Sequence, residues 1–143
     1  MILSKVRDTI KIPAFTRNWR IVYDFLHQHL KNNKIDQKIL SRVLLASEEI
    51  FVNISNYAYG GKNGDVVIKF KCSDSSPIAI KIKFTDKGVK FDPTKVKKAD
   101  VSLSPSERKI GGLGLFIVYN VMDKVEYKYT SSSNNLTITK IIK

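Results

Sequence analysis

Glu49 and Asn53 stand four residues apart in the stretch SEEIFVNISNYAY (residues 47–59), among apolar residues that belong in a core: Ile50, Phe51, Val52 and Ile54. Positions four apart share one face of a helix, so a carboxylate and an amide oxygen line a single stripe, with Asn56 close to it. A carboxylate can take a proton from an attacking hydroxyl, and an amide oxygen beside it can ligate a hard cation such as Mg2+. The same pair also suits an ordinary wet helix edge, so it needs company to mean anything. FTDKGVKFDP (84–93) ends an apolar strand in Asp86, and Gly88 lets the backbone turn sharply or approach a ligand closely. A carboxylate there can accept a hydrogen bond from an exocyclic amine such as that of adenine, although Asp and Gly also make plain turns. GGLGLFIV (111–118) sets glycines before an apolar helix. Free backbone N–H groups and the positive end of the helix dipole suit phosphate oxygens. It matches neither the P-loop nor the GxGxxG pattern.

The elements that must position these groups follow from periodicity. DTIKI alternates and meets Pro13, which reads as a short first strand. Thr16 is the expected N-cap of a helix to about Lys31, whose apolar face is Trp19, Val22, Tyr23, Leu26 and Leu30. A second helix is expected from Asp36 to Tyr57, broken by GGKNG (60–64). The period then becomes two. Val66, Ile68, Phe70 and Cys72 face one way and Val67, Lys69 and Lys71 the other. Across the turn SDSSP, Ile78, Ile80, Ile82 and Phe84 oppose Lys81 and Lys83. Residues 92–110 are polar and aperiodic, which predicts a loop. A helix LFIVYNVMDK and two strands, VEYKYT and LTITKII joined by SSSNN, complete the chain. Strands and helices segregate rather than alternate. The expected architecture is α+β: a two-layer sandwich of a mostly antiparallel mixed sheet with helices on one face. The other face is left to solvent and to lysines 69, 71, 81, 83 and 128.

Bulk properties narrow the class. The 143 residues fit one domain with a real core, at 43% hydrophobic and 27% charged. No run of about 18 apolar residues is present, so no spanning helix is expected. The start, MILSKVRDTIKI, places charges where a signal peptide needs its apolar centre, and a cytoplasmic protein is expected. The single cysteine, Cys72, excludes an internal disulfide and a thiolate metal cluster. His27 and His29 are two apart and face different ways on a helix, which argues against a metal pair. The net charge of +12 is compatible with nucleic acid, an anionic membrane surface or an acidic protein as partner, or with a merely soluble surface. Tyr127 and Tyr129 alternate with Lys128, however, so no aromatic platform interleaves with the lysines and nucleic acid is not expected.

Taken in order, Glu-x-x-x-Asn, Asp-x-Gly-x-x-Phe-Asp-Pro and Gly-Gly-Leu-Gly-Leu resemble the N box and two glycine boxes of the GHKL ATP-binding superfamily, with its histidine kinase-like fold. Within it, EEIFVN, KFDP, GGLGLFIV and VMDKVEY resemble the anti-sigma-factor serine kinases, and the resemblance runs from the first helix to the last strand. It implies a single ATP-binding kinase domain over 1–143, with ATP and Mg2+ as cofactors. Glu49 would be the general base and Asn53 the Mg2+ ligand. Asp86 would take the adenine amine, with Gly88 letting the base sit close. Gly112, Leu113, Gly114 and Leu115 would bind the phosphates, and 92–110 would be the ATP lid. Thr137 and Asn135 compete for a place beside adenine, and Asn56 has no assigned role. The implied activity is transfer of phosphate to a serine of an anti-sigma-factor antagonist (a STAS-type protein), combined with sequestration of a sigma factor by a homodimer. The alternative is a non-catalytic, ATP-gated protein-binding module of the same fold.

Overall fold

The computed structural model describes residues 8–95 and 112–142. Strands β1 (Thr9–Pro13), β2 (Asp65–Cys72), β3 (Ile78–Asp86), β4 (Lys124–Thr130) and β5 (Ser133–Ile142) form one sheet in the order β1-β2-β3-β5-β4. Each neighbouring pair is antiparallel. Helices α1 (Trp19–Asn32), α2 (Gln37–Tyr57) and α3 (Gly112–Val121) cover one face. The result is the expected α+β two-layer sandwich.

The core lies between the layers. Ile68, Phe70, Ile80, Ile82, Phe84 and Ile138 point inward from the strands and meet Val22, Leu26 and Leu30 of α1, Val43 and Phe51 of α2, and Val118 of α3. Full burial of one such side chain contributes about 1.5–3 kcal/mol, which fixes the sheet's inward face. The alternate residues, lysines prominent among them, face outward as their period of two requires.

The local signals mostly act as read. Asp36 caps α2, its carboxylate accepting from Lys38 N at 3.1 Å. Thr16 does not cap α1: it opens a 3-10 turn, Thr16–Asn18, and α1 starts at Trp19. The Asn18 side chain instead donates to Pro13 O at 2.9 Å, closing the corner after β1. α2 ends with Ala58 as its cap, and Gly60 and Gly61, at φ +56° and +84°, supply the left-handed backbone of the turn that follows. The β4–β5 turn is tighter than the SSSNN segment suggests. Thr130 pairs with Ser133, and Ser131 and Ser132 take φ of 52° and 59°, the two left-handed positions of a type I′ hairpin. Asn134 and Asn135 therefore belong to β5. At the other end of that strand, Lys140 Nζ donates to Val121 O at 2.9 Å, holding the C-terminus of α3 against the sheet.

Candidate functional site

A cavity of about 260 Å³ opens where the C-terminal end of α2, the end of β3, the start of β5 and the first turn of α3 converge. Its walls are mainly apolar, with Ile50, Ile54, Val89, Leu115 and Leu136 among them, and its polar lining includes Asn53, Asp86 and Asn134. A mostly apolar slot with a few fixed polar groups is the usual form of a small-molecule site.

Asp86 is 6% exposed and its carboxylate is tightly held. Gly88 N donates to Oδ1 at 2.9 Å and Asn134 Nδ2 donates to the same oxygen at 3.0 Å. Oδ2 accepts no hydrogen bond from any described residue, which leaves it for a donor from the cavity. Asn134 is the centre of this corner. Its amide also donates to Val89 O at 2.9 Å, and its Oδ1 accepts from Phe91 N at 3.1 Å and from the Tyr127 hydroxyl. One side chain thus ties β5 to β4, to Asp86 and to the turn after β3.

The α2 end is fastened to the same turn. Val89 N donates to Ala58 O at 2.7 Å, and the Tyr59 hydroxyl donates to Asp65 O while accepting from Lys87 N at 2.9 Å. Burial is the main cause raising the Tyr59 pKa, with Asp86 and Asp65 nearby adding to it. Gly88 does not line the cavity. A Cβ there would meet Ala58 O at 2.2 Å, so its bare Cα is required by the close approach of the turn to α2 rather than by room for a ligand.

The other sequence-predicted residues divide. Asn53 and Leu115 line the cavity; Glu49, one helical turn before Asn53, is half-buried and does not. Burial, and after it the adjacent Glu48, raises the Glu49 carboxyl above its ordinary range. Gly112 and Gly114 lie inside the first turn of α3, not in a turn before it. Their N–H groups are among the first four of the helix, which have no intrahelical partner. Gly111 and residues 96–110, most of the expected lid, fall outside the described residues. Pro93–Lys95 forms a 3-10 turn in which Thr94 N donates to Asp92 Oδ1 at 2.9 Å.

Thr137 and Asn135 are not beside the cavity. Thr137 lies opposite Lys83 and Glu126 on the open face, and Asn135 on that same face accepts from Thr85 Oγ1 at 2.9 Å. The period of two along β5 sends Asn134 and Leu136 inward in their place. Sequence reasoning missed Asn134 and Tyr127. Tyr127 lay in an expected strand without an assigned partner. The uniformly polar SSSNN carries no signal that Asn134 is in β5, which the two-residue turn at Ser131–Ser132 reveals. His29 sits between the rings of Phe25 and Phe70, at 4.9 and 4.8 Å between centroids, and His27 stacks on Tyr23. Among the described residues no group of three or more His, Cys, Asp or Glu is placed to hold a metal ion. Mg2+ keeps most of its ligands as water and substrate phosphate, so one side-chain oxygen, that of Asn53, fits it. No described helix is long and apolar enough to cross a membrane.

The model of one family, the histidine kinase-like ATPase domain, matches residues 12–140, which include every wall of this cavity. The chain belongs to the histidine kinase-like ATPase domain family. Two curated relatives, both Serine-protein kinase RsbW from strains of Staphylococcus aureus, are 33% identical over 105 residues, 69% of this chain. The chain spans 64% of the length of those relatives. The histidine kinase domain of a blue-light activated histidine kinase from Erythrobacter litoralis superposes with a TM-score of 0.52 at 13% identity, over 94% of this chain and 68% of that one. At that identity the likeness bears on the histidine kinase-like fold alone.

Proposed function

We propose that the chain is an ATP- and Mg2+-dependent protein serine kinase that phosphorylates a serine of a small STAS-type antagonist and sequesters a sigma factor, acting in the cytoplasm as a homodimer. The observation that carries the reading is the Asp86 corner: a buried carboxylate with one oxygen fixed by Gly88 and Asn134 and the other left for a donor, at the end of an apolar slot. It is supported by 33% identity to proteins named serine-protein kinases.

In this reading Asp86 accepts a hydrogen bond from the adenine amine, and the aliphatic walls take the faces of the ring. Asn53 holds Mg2+, which when bound neutralises phosphate charge. The unpartnered N–H groups of Gly112, Leu113, Gly114 and Leu115 receive phosphate oxygens at the positive end of α3. Glu49 takes the proton from the substrate serine as its oxygen attacks the terminal phosphorus and ADP leaves. The raised pKa of Glu49 suits a base, because proton affinity increases with it. Incubating the protein with Mg2+, labelled ATP and the antagonist tests this: a serine becomes labelled, and Glu49→Ala removes the label while leaving ATP affinity unchanged. Undiminished labelling in Glu49→Ala takes the base role away from that residue.

A second reading, a non-catalytic ATP-gated binding module, is favoured by one observation: Glu49 does not line the cavity. It predicts ATP-dependent partner binding with no transfer in a single-turnover assay.

A further inference from the structure

The sheet face turned away from the cavity carries a block of positive charge that folding does not need. Lys69 is directly opposite Lys83 across β2 and β3, and Lys71 is directly opposite Lys81. Cross-strand partners are about 5 Å apart and same-face neighbours along a strand about 7 Å, so four ammonium groups rise from one small rectangle. None of the four makes an ion pair with a described residue; on this face the one such pair is Lys11 with Asp65, at 3.8 Å. Lys124 and Lys128 of β4 extend the charge, and Glu126 is the acid set among them. Like charges directly opposite each other destabilise a sheet, whereas a merely soluble surface mixes its signs. Placing the four together is a cost that a partner of opposite charge would offset.

We infer that this face docks an acidic protein surface, one rich in Asp and Glu, independently of the nucleotide cavity on the sheet's other side. The chemistry between the lysines favours that occupant. The described residues between the lysines on this face, among them Val67, Ala79, Asn135 and Thr137, are aliphatic or small and polar, with no aromatic ring among them on which a base could stack. The cations of the block are all lysines, which meet carboxylates one to one and lack the guanidinium fork that grips phosphate bidentately. A five-stranded sheet face does not enter a duplex groove about 12 Å wide, and among the described residues of this face there is no large exposed apolar side chain to enter a bilayer. Charge of this kind raises the rate of encounter and fixes orientation more than it adds affinity.

The test uses a fluorescent poly-glutamate peptide, with duplex DNA and phosphatidylserine vesicles as rival probes. One variant changes Lys69, Lys71, Lys81 and Lys83 to Gln; a control of equal net charge changes the exposed Lys31, Lys34, Lys38 and Lys62 to Gln. Poly-glutamate affinity is expected to fall about tenfold or more in the first variant, four exposed pairs being lost. The control should bind nearly as wild type, ATP affinity should be equal in all three, and the amide resonances that poly-glutamate shifts should be those of β2 and β3. Equal weakening in both variants would reduce the effect to net charge and overturn the inference. So would tighter binding of DNA or vesicles than of poly-glutamate, lost on changing the same four lysines.

Discussion

Asp86 and Asn134 act as one unit. Two donors on Oδ1 fix the carboxylate's rotation, so in the proposed reading Oδ2 would receive a ligand amine without reorganisation on binding. Truncating Asn134 leaves several backbone groups and the Tyr127 hydroxyl without a partner. Asn134→Ala should therefore lower unfolding free energy by about 1–3 kcal/mol, the usual penalty for orphaned buried groups. It should also weaken ATP, as read by urea denaturation and a nucleotide titration. Glu49 gives a second prediction, with a pH signature. Its folded pKa lies above the ordinary value of 4.5 because burial disfavours the charged form. A raised pKa gives stability that is present below the unfolded value and lost as pH rises through the folded one. Glu49→Gln, which carries no charge, should melt higher than wild type at pH 7, and the gain should disappear below about pH 4.5. A gain that persists in acid would mean that burial of the charge is not its source.

At the scale of elements, much of the fold was legible because the decisive signals were periodic. The alternation in β2 and β3 and the helical stripes of α1 and α2 gave the element order and the inward faces, whereas only the family resemblance brought Asn53 and Asp86 together, and the structure sets both on one cavity. The misses lie where local chemistry overrides pattern. SSSNN is uniformly polar, and nothing periodic tells turn from strand within it. The left-handed Ser131–Ser132 pair makes the turn two residues long and so draws Asn134 and Asn135 into β5, where the period of two turns Asn134 inward with Leu136 and leaves Asn135 and Thr137 outward. Gly88 misled in a different way. Its permissiveness was visible, but its cause, the carbonyl of Ala58, is a tertiary contact. The turn makes its own prediction. A non-glycine residue at φ 59° carries about 1–2 kcal/mol of steric cost, so Ser132→Gly should raise the melting temperature while ATP affinity stays unchanged. A lower melting temperature would mean that the serine contributes a contact outweighing that strain.

At the scale of the molecule, one sheet separates two surfaces of different chemistry. The covered face is a hydrophobic layer whose edge holds the cavity; the open face is a lysine field. The net charge of +12, ambiguous as a bulk number, gains meaning once register shows four of its lysines stacked together. The chain belongs to the histidine kinase-like ATPase domain family, and everything proposed about kinase activity depends on a nucleotide binding at Asp86. Calorimetric titration of wild type and Asp86→Asn with ATP and with GTP, in the presence of Mg2+, tests that dependence most directly. The account predicts that wild type binds ATP and discriminates against GTP, whose ring has a carbonyl where adenine has its amine. It also predicts that Asp86→Asn loses about 1.5–3 kcal/mol, the worth of a hydrogen bond to a charged group, or roughly ten- to hundredfold in affinity. Binding of ATP by Asp86→Asn as tightly as by wild type, or no binding of ATP by wild type, would contradict it.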